Sequence, residues 1–111
     1  MDKEKQSLML IVHAGDAKSK AFEAISKAKT GQTDQAKQLL KEANEALTLA
    51  HTQHTDILQN SCDDLDTSIS MLMAHAQDHL MSASVVLDLA KEICDLYSIV
   101  LENFPTLKDK K

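Results

Sequence analysis

The stretch Leu10-Ile11-Val12-His13-Ala14-Gly15-Asp16-Ala17-Lys18-Ser19-Lys20-Ala21-Phe22-Glu23-Ala24-Ile25-Ser26-Lys27-Ala28 decides the fold. Leu10, Ala14, Ala17, Ala21, Ala24 and Ala28 recur at spacings of four and three, which places them on one face of a helix. Alanine has the highest helix propensity, and its small side chain lets a neighbouring helix approach closely. Leu8, Ile11, Val12, Phe22 and Ile25 add bulk beside this seam. Lys27 and Lys29 suit the negative end of the helix dipole, and Gly31 supplies a residue for the C-cap, so the first helix should span about 4–30.

The same rhythm continues on either side of a polar break. Thr33 or Asp34 can cap a second helix, about 33–60, with its seam at Ala36, Leu40, Ala43, Leu47, Ala50, His54 and Ile57. Ser61 to Asp66 reads as a loop, and Asp66, Thr67 and Ser68 are candidate caps for a third helix. That helix, about 67–103, has its seam at Ile69, Met73, Ala76, Leu80, Ala83, Leu87, Ala90, Cys94, Tyr97 and Leu101. Pro105 lies past its end, and residues 106–111 read as a mobile tail. The expected architecture is all-α: one domain over 1–111, an antiparallel up-down-up three-helix bundle.

Composition agrees with helices and removes several classes of function. With 2 Gly and 1 Pro in 111 residues there are too few turn formers for a many-stranded sheet. A formal charge of -5 and 3% aromatic residues leave neither a cationic footprint nor a stacking platform for nucleic acid. No stretch approaches the roughly 18 consecutive apolar residues of a membrane helix, and Met1 to Lys5 alternates charges with no apolar h-region. Cys62 and Cys94 form no C-x-x-C pair and read as structural thiols. A soluble cytoplasmic protein is expected, with no nucleic acid partner and no direct insertion into a membrane.

The third helix carries a second apolar surface at Met71, Val85, Val86, Leu89, Ile93 and Val100, well away from its seam at about 100° per residue. Two apolar faces need two partners, so this helix is either a site of self-association or is wrapped by both of its neighbours. Among these residues sit His75, Asp78, His79 and Ser82. His75 and His79 are i and i+4, hence adjacent on the helix surface. Asp78 is either a solvated surface carboxylate or one of several copies meeting around a hard cation, because an unpaired buried charge is costly.

Three readings of the histidines stand together. His-x-x-x-His on a helix can chelate zinc, although Ala76 replaces the glutamate of the H-E-x-x-H metalloprotease pattern. The rings can be interfacial and structural. Alternatively, a neutral imidazole at His75 can attack a phosphoryl group, with Gln77 and His79 as support. No Walker loop, no G-x-G-x-x-G and no G-x-S-x-G is present, so any phosphate must arrive on a partner already in activated form. His13, His51 and His54 read as structural or supporting.

His13-Ala14-Gly15-Asp16-Ala17-Lys18-Ser19, Ala50-His51 with Thr55, and His75-Ala76-Gln77-Asp78-His79-Leu80-Met81 resemble, in order and spacing, the lactose/cellobiose-type IIA components of the bacterial phosphoenolpyruvate-dependent sugar phosphotransferase system. The resemblance covers roughly Leu8 to Tyr97. It implies a homotrimer whose third helices meet around the axis. It also implies a phosphohistidine at His75, formed from the carrier HPr and passed to a cysteine of the IIB component during uptake of a β-linked disaccharide. Asp78 would be the axial carboxylate binding one Mg²⁺ per trimer, and His79 and Gln77 would steady the phosphoryl oxygens. His54 stands where Gln is common in that family, and Lys18 where Arg is frequent. A non-catalytic helical adaptor and a structural metal-binding bundle are the alternatives.

Overall fold

The computed structural model describes residues 2–62 and 71–109, which form three long α-helices and one short 3-10 helix, with no strand among the described residues. The helices are α1 (Lys3–Lys29), α2 (Thr33–Cys62) and α3 (Met71–Asn103), and the 3-10 turn is Pro105–Asp109. Together they make a rod 61 Å long and 18 to 19 Å across. The up-down-up bundle expected from the seams is the observed one.

α1 starts where Asp2 accepts a 2.8 Å hydrogen bond from the Lys5 amide, which satisfies one of the free donors of the first turn. It stops in a Schellman arrangement: the Gln32 amide donates to the Lys27 carbonyl at 2.9 Å and the Gly31 amide to the Ala28 carbonyl at 3.0 Å. Gly31 takes φ +82°, the left-handed conformation that a side chain disfavours. α2 begins at Thr33, the start expected from sequence, but its cap is Gln32, one residue before the cap candidates. The Gln32 carbonyl accepts the first helical bond, from Ala36 at 3.0 Å, and Thr33 and Asp34 already lie in the first turn. The sequence favoured Thr33 or Asp34 because their oxygens can cap, but the preceding Schellman turn has already set the chain direction at Gln32.

The loop expected from Ser61 starts later, since α2 runs to Cys62. The rest of that loop, the caps Asp66, Thr67 and Ser68, the expected start of the third helix at 67, and Ile69 all lie outside the described residues, as do Lys110 and Lys111. Of the expected tail, residues 106–109 belong to the 3-10 turn. The Leu107 amide donates to the Phe104 carbonyl there at 3.0 Å.

The core is the alanine seam with leucines set into it. Ala14, Ala17, Ala21 and Ala24 are wholly buried, as are Ala43 and Ala50 from α2 and Ala76, Ala83 and Ala90 from α3. Leu10, Leu80 and Leu87 are the largest side chains fully removed from water, each contributing about 1.5–3 kcal/mol of burial. Ser7 extends the α1 seam one turn earlier than the apolar pattern. Its hydroxyl donates to the Lys3 carbonyl at 2.9 Å and lies 3.9 Å from the Met73 sulfur, so its burial leaves no orphaned donor.

α1 is the helix embraced by both others, and α3 keeps its second surface open. Met71 is 90% exposed, and Val85 and Leu89 are each 56% exposed. Leu96 and Ile99 extend this exposed apolar stripe toward the C-terminal end of α3. Of the second surface, Val86 packs against the core and Val100 is half-buried. Wrapping of the third helix by its two neighbours is therefore excluded within one chain.

Candidate functional site

Two contacts fix how α1 and α3 lie against each other. Ser7 meets Met73, and Lys18 Nζ donates to Ser82 Oγ at 3.0 Å. The two helices therefore run parallel, and successive turns of α1 face successive turns of α3. On the other flank, His51 Nε2 lies 3.2 Å from Ser84 Oγ, and Gln77 Nε2 lies 3.1 Å from His54 Nε2. Ser82 and Ser84 are about 200° apart around the helix. α1 and α2 thus occupy opposite flanks of α3, with the exposed stripe between them.

His75 and His79 are brought together as their spacing requires. Their Nε2 atoms are 3.1 Å apart, the ring centroids 4.5 Å apart, and the planes cross at 86°. A hydrogen bond across this contact takes one ring nitrogen as donor and the other as acceptor, in an order set by the tautomers. His75 is exposed and His79 half-buried, which leaves the first ring open to a visiting molecule and holds the second against the bundle. An exposed neutral imidazole with a second imidazole at its nitrogen is equipped for nucleophilic attack and for proton sharing.

Gln77 is not part of that pair within one chain. Two residues from His75, it points to the α2 flank, where its amide N–H donates to His54. This explains how an imidazole is tolerated in the α2 seam: His54 is half-buried but has a polar partner. Asp78 is exposed on the open stripe, one turn before Ser82, and forms no ion pair or hydrogen bond among the described residues. His13 is half-buried and likewise without a hydrogen bond among them.

No group of three or more potential metal ligands comes together among the described residues. Among the described residues His75 and His79 have no third ligand for zinc, and Asp78 brings one carboxylate. A cation at Asp78 would need carboxylates from other copies, and oxygen donors of that kind fit a hard ion. On the outer side of α2, Thr48, His51, Thr52, Thr55 and Asp56 line an open depression of about 320 Å³. Cys94 is a buried free thiol, and burial, with Asp95 nearby adding to it, pushes its pKa above the ordinary value of 9.0. It is inert as a nucleophile near neutral pH. No described helix is long and apolar enough to cross a membrane.

Comparison with known proteins gives one family. The model for the PTS system lactose/cellobiose-specific IIA subunit matches residues 5–98. The lichenan-specific phosphotransferase enzyme IIA component of Bacillus subtilis (strain 168) is 40% identical over 104 residues, covering 92% of this chain and 94% of its own. The crystal structure of the cellobiose-specific enzyme IIA from Bacillus anthracis superposes with a TM-score of 0.83 at 39% identity, covering 90% of this chain and 93% of that one. The IIA(Chitobiose) protein of Escherichia coli, solved in complex with HPr, gives a TM-score of 0.72 at 28% identity, covering 90% and 97%.

Proposed function

The chain belongs to the PTS lactose/cellobiose-specific IIA subunit family, and on that premise we propose that His75 is its phosphoryl-carrying residue. As a phosphotransferase component it would act in the cytoplasm, taking the group from phospho-HPr and giving it to a cysteine of a IIB component during uptake of a β-linked disaccharide. The observation that carries this reading is the exposed His75 ring with His79 Nε2 at 3.1 Å. A relay must present one imidazole to two visitors in turn, and this one faces outward beside a second donor. HPr is named as donor because it is the partner of the Escherichia coli IIA(Chitobiose) relative.

In the first step a neutral ring nitrogen of His75 forms a P–N bond as the P–N bond of the donor breaks. The electron pair returns to the donor imidazole, which regains a proton while the His75 ring gives one up. His79, whose N–H can reach the His75 Nε2, would turn from that nitrogen to a phosphoryl oxygen and stabilise its charge. In the second step a thiolate attacks phosphorus and His75 leaves. No nucleotide is needed, because the phosphoimidazole bond already stores the transfer potential and the protein supplies position.

The exposed α3 stripe supports a homotrimer closed around that helix, since a face this apolar marks an interface. In a threefold ring the α1 flank of one subunit meets the α2 flank of the next. The His75–His79 pair of one chain and the Gln77–His54 pair of its neighbour would then line one groove, which is how Gln77 would reach the phosphoryl group. Three Asp78 carboxylates would converge on the axis and are the residues that would hold one Mg²⁺, which would offset their mutual repulsion.

The test is incubation with phosphoenolpyruvate, enzyme I and HPr, and then a search for an acid-labile, base-stable phosphoryl group. His75→Ala should abolish it. Labelling that persists in this variant would refute the assignment and leave a non-catalytic adaptor as the better reading.

A further inference from the structure

Gly15 sits in the middle of α1, yet nothing among the described residues requires a glycine there. Gly31 is the chain's positive-φ glycine, so the backbone at Gly15 is ordinary helix that any L-residue adopts. A Cβ built at Gly15 would meet no heavy atom of the described residues within 4 Å, so none of these neighbours needs the space either. A glycine inside a helix weakens it relative to alanine. That cost has no return within one chain, which points to a molecule outside it.

The register of α1 on α3 says where the open space is. Lys18 is bonded to Ser82. Three residues earlier on both helices, on the same faces, stand Gly15 and His79. Gly15 therefore borders the α1–α3 groove at the level of the half-buried imidazole that holds His75. Val12, 65% exposed, and Phe22, 53% exposed, flank it on the outer side of α1 with apolar surface.

We propose that Gly15 is a clearance position: the missing side chain lets the backbone of the phosphoryl-donor protein approach α1 closely enough to bring its phosphohistidine to His75. The occupant is the donor because the gap adjoins the imidazole pair that would take the phosphoryl group; a neighbouring copy at the α1 flank is the competing occupant, and the oligomeric state of the variants separates the two. Val12 and Phe22 would give the visitor a small apolar footing, consistent with an interface that must form and dissolve at every transfer. This inference rests on the phosphoryl relay proposed above.

Gly15→Ala and Gly15→Leu test it, with two phosphoryl sources. Phosphoramidate is small and needs no docking; phospho-HPr does. We expect Gly15→Ala to melt a few degrees above the native protein, as a helix-interior Gly→Ala change should where no atom is displaced. Gly15→Leu should accept phosphate from phospho-HPr at least tenfold more slowly, through a raised KM, and should label from phosphoramidate at the native rate with unchanged oligomeric state. Transfer from phospho-HPr at the native rate in Gly15→Leu would overturn the proposal. So would a lowered melting temperature in Gly15→Ala or dissociation of either variant, since both would place the glycine in structural packing. If the native protein takes phosphate from neither source, the relay itself fails and this inference falls with it.

Discussion

His75 and His79 bring their Nε2 atoms to 3.1 Å from each other, with the rings edge to face. The proposed phosphoryl acceptor is thus in contact with the group that would steady the product. Removing that group should slow the reaction without removing the nucleophile. We expect His79→Ala to retain a phosphorylatable His75 but to accept phosphate about 10²-fold more slowly, the usual cost of losing one oxyanion donor. Rapid-quench labelling from phospho-HPr measures this, and an unchanged rate would leave His79 as packing alone.

The open stripe on α3 gives a second expectation. Leu89 is 56% exposed in one chain and lies at the centre of the apolar surface, whereas a subunit boundary would bury it. Leu89→Glu would place three like charges at such a boundary and should yield monomers that keep their helical content. Sedimentation velocity with circular dichroism reads both. An assembly that persists in this variant would mean that the chains associate by another face.

Asp78 allows the proposed axial cation to be separated from assembly. In the proposed trimer, Asp78→Leu would exchange three repelling carboxylates for packing, so the protein should remain associated while its melting temperature stops responding to Mg²⁺. Collapse to monomers on this substitution would show that the carboxylates hold the assembly together in some other way.

The alanine seam is a fitted surface rather than a default. Ala21 is wholly buried between helices, and Ala21→Leu forces methyl groups into space already occupied. A loss of about 1–3 kcal/mol is expected, as for other overpacked cores. Urea unfolding would show it as a lowered midpoint with an unchanged slope; an unaltered midpoint would mean that the seam is loose.

Cys94 sets a pH dependence. Its pKa is raised in the folded state, chiefly by burial and then by Asp95. Above 9.0, the ordinary value, the unfolded chain releases this proton before the folded one does. Stability from this group is therefore fully present below that pH and is lost as pH rises through the folded value. Cys94→Ser should flatten the alkaline fall in melting temperature. An equal fall in both proteins would assign it to other groups.

The period of the small residues made the bundle legible. Every α1 position in the sequence-derived seam is buried, because a helix that meets two neighbours closely must keep that face small. Ser7 escaped that reading: a polar residue can be buried if its hydroxyl bonds back to the preceding turn, which an apolar pattern does not register. At the site, the His75–His79 contact comes directly from i, i+4 spacing on one helix. Gln77–His54 and Lys18–Ser82 do not, since each depends on how α3 is rotated against another helix, and single-chain periodicity leaves that rotation open. The second surface on α3 was visible as excess apolar residues, and its exposure in one chain now settles that the neighbouring helices do not cover it.

The most direct measurement is the location of the phosphoryl group itself. The native protein should be phosphorylated with phosphoenolpyruvate, enzyme I and HPr, then fragmented under alkaline conditions by electron-transfer mass spectrometry. We expect one phosphoryl group per chain, on His75, discharged when a IIB component is added. Phosphate found on His79, on His51 or His54, or on no histidine would contradict the assignment of His75 as the carrier.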